Sequence, residues 1–527
     1  MQELHQSIQT FFFIFLFVDR SSAYTGAIMN NEIPPTRGPT SKLLRALGPW
    51  MATAVVAGTV IGSGVFKMPQ RVSEQLPFSS LAAIVWILGG VLAFLGGLSL
   101  AEVAVLFPKA GGNYVFLREG YGRLAGFLFG WVEFWIIRSA SLAALATIFT
   151  ESFHDVLIEI SPTTAAGVGY WPQKFVTVTV IAGLAGVNIR GVRWGGGLQF
   201  FITSIKVASL LGIMMLPFIV AALVNSPTVP RPEVKRLEPV WPAAGGFHLG
   251  HFATAFLGVL WAYHGWMNIA PVAEEVREPQ RNIPRALFSG IGIVMFLYLG
   301  ANVAYYLIIP QPEMARMKAP ETQAHGPPSE GLEEEVQDKT VAIGFCRRLL
   351  GSVGVAVAAA AVMISVFGAL NGNLLVGPRL LYAMGEDGLA PRALSAVHAN
   401  YRTPALAIFV LASWACLLVL GVAFLTWCGI LPKGKDHFNR LTDFAMFGSV
   451  VFETLAVTTI FVFRRRLPNV ERPYRCWGYP VVPALYLILP AMVLGNMFVD
   501  QQVEALTGVG FIAVGAMAYY VTGINKQ

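Results

Sequence analysis

The sequence predicts an all-α, polytopic membrane protein: twelve transmembrane helices, folded as a five-plus-five inverted repeat in which helices 1 and 6 are broken, with two further helices at the C-terminal end. Three observations carry this. First, the 527 residues are 55% hydrophobic and only 13% charged, about half the charge of an ordinary soluble chain. Second, almost uncharged runs recur along nearly the whole chain, each long enough to cross a hydrocarbon core ~30 Å thick at ~1.5 Å per helical residue. Third, two of these runs are interrupted by glycine at matching places in the two halves.

The elements follow in order. Residues 1–48 form an N-terminal segment whose apolar run, Phe11 to Val18, is too short to span and lacks a basic n-region before it. Met29 opens a polar, proline-containing stretch, so residues 1–28 are expected to be a start-site artefact. Spans at 49–66, 79–106, 124–150, 175–188 and 197–224 make the first repeat, 49–224. Spans at 250–273, 287–309, 349–376, 404–421 and 442–462 make the second, 250–462. Two additional helices, 480–499 and 506–522, complete the chain within 480–522. The loop 310–348, rich in Glu, Pro and Lys, reads as a flexible outer excursion without a soluble domain.

With the N-terminus inside, the inner segments hold 20 Lys+Arg against 8 Asp+Glu, and the outer ones 14 against 16. This is the positive-inside asymmetry, sharpest at Arg464-Arg465-Arg466. Both termini are therefore expected in the cytoplasm, with the protein in the plasma (inner) membrane among its lipids. The net charge of +7 is spread through short loops, which argues against nucleic acid as a partner. The four cysteines have neither metal spacing nor a CxxC arrangement. No metallopeptidase or nucleotide-binding motif suggests an enzyme, and no cofactor is implied.

Unwound backbone inside a bilayer leaves amides and carbonyls unpaired at several kcal/mol each, so it persists only where it lines a cavity or binds something. The first span reads Ala57-Gly58-Thr59-Val60-Ile61-Gly62-Ser63-Gly64-Val65-Phe66 and the sixth Gly258-Val259-Leu260-Trp261-Ala262-Tyr263-His264-Gly265-Trp266, with Pro271 following. Paired interruptions of this kind place a substrate between the two helices. Free amides at a half-helix start suit a carboxylate and freed carbonyls suit an ammonium, so the pair can hold both ends of an amino acid. The alternative is that Gly62 and Gly64 serve only close helix packing.

At these residues the sequence resembles the amino acid–polyamine–organocation superfamily, and within it the L-type amino acid transporter family. Besides Gly58 to Phe66, the resemblance rests on Ala101-Glu102-Val103, Phe107-Pro108-Lys109-Ala110-Gly111-Gly112-Asn113-Tyr114, Trp131-Val132-Glu133, Ile136-Ile137-Arg138 and Val187-Asn188. It continues through Glu274-Glu275, Arg281-Asn282-Ile283-Pro284, Asn371-Gly372, Arg379-Leu380, Gly388-Leu389 and Arg472-Pro473, in register over about 45–500. The resemblance implies a sodium-independent amino acid transporter working by alternating access, by exchange or proton-coupled uptake. Ser63, Gly64 and Val65 would hold the substrate carboxylate through their backbone. Thr59 and the carbonyls around Val60, Trp261, Ala262 and His264 would hold its amine side, and Trp261 would close over it as an aromatic gate.

Lys206 lies nine residues into the fifth span, about 13 Å deep at ~1.5 Å per residue. The family suggests that its ammonium replaces a sodium ion, contacting carbonyls near Gly58 and the hydroxyl of Ser365; a snorkelling lysine is the alternative. Whether it is a fixed charge or a proton carrier stays open. Glu133 and Arg138, five apart, could neutralise each other or reach neighbouring helices and read as structural, as does Glu102, which can reach water or inner-loop arginines. Glu453 has no evident partner, and a cavity-facing role is open to it.

His264 departs from the family, which commonly has glycine there. An imidazole would shrink the pocket and could meet the substrate side chain, or it could point into a helix interface. Met267 stands where asparagine is frequent. Both put in doubt a preference for large neutral side chains, though the substrate is still expected to be neutral. The loop 151–174 lacks the cysteine through which animal members bind a heavy chain, so a single-chain protein of prokaryotic type, with no disulfide-linked partner, is expected. An amino acid sensor on the same fold, without net transport, is the competing class.

Overall fold

A computed structural model of the chain describes residues 43–242, 248–317, 340–431, 436–500 and 502–524. Residues 1–28, and the loop section 318–339, lie outside the described residues. The first span divides into α1 (Pro49–Val60) and α2 (Gly64–Gln75). Proline at the start of α1 suits the first helical turn, where its missing amide costs nothing. At Ile61 the backbone turns extended (φ −71°, ψ 91°), and the hydrogen-bond ladder stops with its amide on the Ala57 carbonyl at 2.8 Å.

Next come α3 (Ser79–Leu106), α4 (Asn113–Tyr121) and α5 (Arg123–Val132). A π-helical turn, Glu133–Arg138, joins α5 to α6 (Ser139–Ile160), followed by α7 (Pro162–Gly167), α8 (Tyr170–Ile189) and α9 (Val192–Leu223). The sixth span is α10 (Leu249–Tyr263) and a tight 3-10 run, Trp266–Glu275. Beyond it lie α11 (Pro279–Ile308), α12 (Gln311–Arg316) and α13 (Val341–Glu386), which is kinked at Gly351. The chain ends with α14 (Ala405–Trp427), α15 (Asp436–Arg466), α16 (Val481–Asp500) and α17 (Gln502–Val521).

Nine of the described helices are long and apolar enough to cross a membrane, counting the two halves of the first span as one. The other three predicted spans are α8, the broken α10 with its 3-10 continuation, and α17, which completes the twelve-helix, five-plus-five architecture with interrupted helices 1 and 6. Several boundaries need correction. The first span runs on to Gln75, the third to Ile160 and the eighth to Glu386. The first extension is polar, the third mixed, and the eighth continues as buried helix past Pro378 and Arg379. The loop 107–123 contains α4, and the loop 151–174 is largely helical.

α1 is wrapped by α9, α11 and α13, while α2 packs on α10. Below the breaks, Arg379 of α13 makes a two-pronged bond to Glu275 (2.7 and 3.1 Å), with side-chain exposures of 0% and 1%. Removing either member strands the other charge, a loss of about 3–5 kcal/mol. The Glu275 carbonyl also accepts the amides of Ala46 and Leu47 at 3.0 Å each, and Arg277 N–H returns to the Leu47 carbonyl. The chain ahead of the first span is thus strapped to the end of the sixth. Glu102 has the arginine partners expected of it: Arg464 at 2.7 Å from both carboxylate oxygens and Arg472 at 3.1 Å.

Candidate functional site

The two breaks face one another across a cavity. Thr59, Val60, Ser63, Gly64, Trp261, Ala262 and His264 all line it, so seven of the eight residues expected at the substrate are brought together. Val65 is the exception: it is buried in the first turn of α2, behind the wall. The α2 start offers the donors expected of it, since the first intrahelical bonds run from the amides of Phe66 and Lys67 to the Ser63 carbonyl. The preceding amides are the unpaired donors that every helix start leaves. The Ser63 hydroxyl is itself buried and has no hydrogen-bond partner among the described residues, a costly arrangement unless something occupies the cavity.

Glycine is required at two points of this geometry. A Cβ on Gly64 would lie 2.8 Å from the Cα and Cβ of Ala262, so the two broken helices touch backbone to backbone there. Gly265 has φ 102°, the left-handed region that ends α10 and turns the chain into the 3-10 run. The hydroxyl of Thr59 lies 3.1 Å from the Gly265 carbonyl, linking the breaks directly.

Lys206, 2% exposed, donates to the Gly58 carbonyl at 2.8 Å and the Ile61 carbonyl at 2.6 Å. Its ammonium therefore sits at the end of α1, where carbonyls have lost their helical donors. Its expected contact with the Ser365 hydroxyl is not formed. Instead Ser365 donates to Ile61 (3.2 Å) and Gly62 (2.8 Å), so lysine and serine converge on one carbonyl instead of on each other. A hydroxyl and an ammonium are both better satisfied by bare carbonyls than by sharing a bond between themselves.

Of the residues at the site that were not anticipated as such, three make hydrogen bonds that bear on its geometry. Tyr298 of α11 places its hydroxyl 3.0 Å from the Val60 carbonyl and 3.1 Å from the Ala262 carbonyl, bridging the two breaks. Two of the carbonyls expected to take the substrate amine thus already have a donor, although each keeps a second lone pair. Arg138 lines the cavity and bonds Asn373 (2.8 Å) and Asn268 (3.3 Å) as well as Glu133 (3.2 Å). Glu133–Arg138 is the structural pair foreseen, held together because the π-helical turn repeats at i, i+5; its place on the cavity wall was not foreseen. Asn268, three residues before the proline of the 3-10 run, is the third.

His264 and Glu453 answer each other. The imidazole Nε2 is 2.7 Å from both the Glu453 carboxylate and the Ser449 hydroxyl, and Ser449 donates to Glu453 at 3.0 Å. The ring thus reaches a helix interface while still lining the cavity. Met267 is buried against Asn113, whose amide nitrogen lies 2.6 Å from its sulfur.

The amino acid permease family model matches residues 47–522. The serine/threonine exchanger SteT of Bacillus subtilis strain 168 is 28% identical over 488 residues, covering 92% of this chain and 98% of its own length. The human Asc-type amino acid transporter 1 is 27% identical over 489 residues (91% of this chain, 82% of that protein). The human cystine/glutamate transporter is 26% identical over 498 residues (94% and 88%). A match that runs from the strap before α1 to the last helix takes in both breaks and every cavity residue named above, and the chain accordingly belongs to the amino acid permease family.

Proposed function

We propose that the protein carries amino acids across a membrane by alternating access, independently of sodium. One observation supports this above the rest: two helices come apart opposite one another around a single cavity, with a buried lysine bonded to the carbonyls that one break sets free. The zwitterion's carboxylate meets the amides of Ser63, Gly64 and Val65, while its ammonium takes free lone pairs of the carbonyls near Val60, Trp261, Ala262 and His264. Trp261 closes the cavity over it. Lys206 supplies the fixed positive charge that a sodium ion would otherwise bring, so no metal cofactor is needed.

The helices 49–224 and 250–462 act as the two moving repeats, with 480–522 as added support. Both termini lie in the cytoplasm of a cell whose plasma (inner) membrane holds the protein as a single chain, without a disulfide-linked partner. The substrate is a neutral amino acid, in keeping with relatives described as a serine/threonine exchanger and an Asc-type transporter. Exchange and proton-coupled uptake differ in a simple test. Labelled serine is offered to liposomes that are empty or loaded with unlabelled amino acid, with and without a pH gradient, in sodium-free buffer. Flux without sodium is expected; an absolute sodium requirement, or binding without flux, overturns the reading.

A further inference from the structure

Behind the central cavity lies a second chamber, walled by Gly89 and Leu92 of α3, Leu260 of α10, Val450 and Thr454 of α15 and Tyr486 of α16. Among the described residues, His264 is the one side chain that lines both spaces. Its ring is held toward α15 by Ser449 and Glu453, at 2.7 Å each. With 28% of the His264 side chain and 14% of that of Glu453 accessible, the pair stands between two hollows and is not embedded in packed core. From the substrate's side the imidazole is a wall, and beyond it the surfaces are chiefly apolar.

We propose that His264 is a specificity-determining partition: pinned by Ser449 and Glu453, it closes the second chamber and confines the substrate to amino acids with small side chains. This rests on the transport reading above and adds the substrate class to it. An α-amino acid held by its backbone groups at the breaks directs its side chain away from them, and in this protein a ring stands where a longer chain would extend. Size discrimination in an apolar pocket is modest per methylene, roughly ten- to two-hundredfold, so a solid wall adds what packing alone does not supply.

The geometry also indicates that the wall is removable. The backbone at His264 (φ −59°, ψ 145°) is open to any residue, and the left-handed angle belongs to Gly265. The Ser449–Glu453 bond of 3.0 Å does not involve the ring, so the carboxylate keeps a partner without it.

The test is uptake of serine, leucine and phenylalanine into proteoliposomes. The wild type is expected to favour serine. His264→Gly should raise the leucine-to-serine flux ratio roughly tenfold or more, and adding Val450→Trp, which refills the chamber from its α15 wall, should reverse the gain. Equal wild-type flux of leucine and serine, an unchanged ratio in His264→Gly, or a gain that survives Val450→Trp would each overturn the partition. If His264→Gly does not assemble, Glu453→Gln, which loosens the ring without touching the break, should raise the ratio in the same sense; no rise there counts equally against it. Absence of any amino acid flux in the wild type would overturn the transport reading itself, a distinct outcome.

Discussion

At the break in the first span the side chains are small, and the chemistry is brought in from outside. Lys206 and Ser365 reach in from α9 and α13 to the carbonyls of Gly58, Ile61 and Gly62. At the break in the sixth span the chain supplies its own functional group: His264 sits in the unwound segment and is tied outward to Ser449 and Glu453 of α15. Thr59 and Tyr298 hydrogen-bond to both breaks. On the proposed reading, the first break treats every amino acid alike, through backbone groups and the Lys206 ammonium, whereas the second presents a surface that sorts side chains. If coupling and selection are divided in this way, variants on the two sides should fail in different ways.

Lys206→Ala should have the largest effect. It strands the Gly58 carbonyl and leaves Ile61 only the Ser365 hydroxyl. Two hydrogen bonds from a charged donor, at about 1.5–3 kcal/mol each, correspond to a loss of flux of at least about a hundredfold for every substrate. If the ammonium stands in for a metal cation, high sodium should restore part of the flux. Wild-type rates from Lys206→Ala would remove the coupling role from the first break.

Gly64→Ala comes next, because the added carbon meets the Ala262 backbone at 2.8 Å and forces the two broken helices apart. Overpacking of this kind costs about 1–3 kcal/mol, or roughly five- to a hundredfold in initial rate. Gly62→Ala is the matched comparison: the nearest atom its Cβ would meet is that of Ala369 at 3.8 Å, so its cost should be clearly smaller. Equal losses in the two variants would mean that close approach at Gly64 is not what holds the site together.

What the sequence disclosed, and what it hid, follows the same division. Gly62-Ser63-Gly64 and His264-Gly265 stood out because they interrupt two spans at matching places in the two halves, and Lys206 because a charge in an apolar run needs a reason. Tyr298 was silent: a tyrosine among Leu297, Leu299 and Gly300 resembles core packing until its hydroxyl is seen between Val60 and Ala262. Arg138 was misjudged for a geometric reason. In an α-helix residues five apart point about 140° away from each other; the π-helical turn brings Glu133 and Arg138 to one side and sets the guanidinium against the cavity. Helix ends were underestimated because Lys67 to Gln75 is polar and Pro378-Arg379 interrupts the eighth apolar run, yet both stretches continue as helix.

Tyr298→Phe tests the link between the two breaks. It removes one hydroxyl shared by two carbonyls and leaves the ring packed against Trp86 and Tyr263. A loss of about 1–2 kcal/mol, near tenfold in rate, should fall equally on small and large substrates, since the bridge touches backbone on both sides. A change confined to one substrate would place Tyr298 with the selecting break instead.

Ser365→Ala should be the mildest of the set. Gly62 loses its donor, but the Ile61 carbonyl keeps Lys206 at 2.6 Å. One neutral hydrogen bond contributes about 1 kcal/mol, so transport should fall about fivefold. The informative measurement is the double variant with Lys206→Ala. Both donors converge on Ile61, and losses through a shared partner are not additive: with both gone, that carbonyl has neither donor, and the double variant should be worse than the product of the single losses. Simple multiplication would mean that lysine and serine act on separate groups and that the first break has no common centre at Ile61.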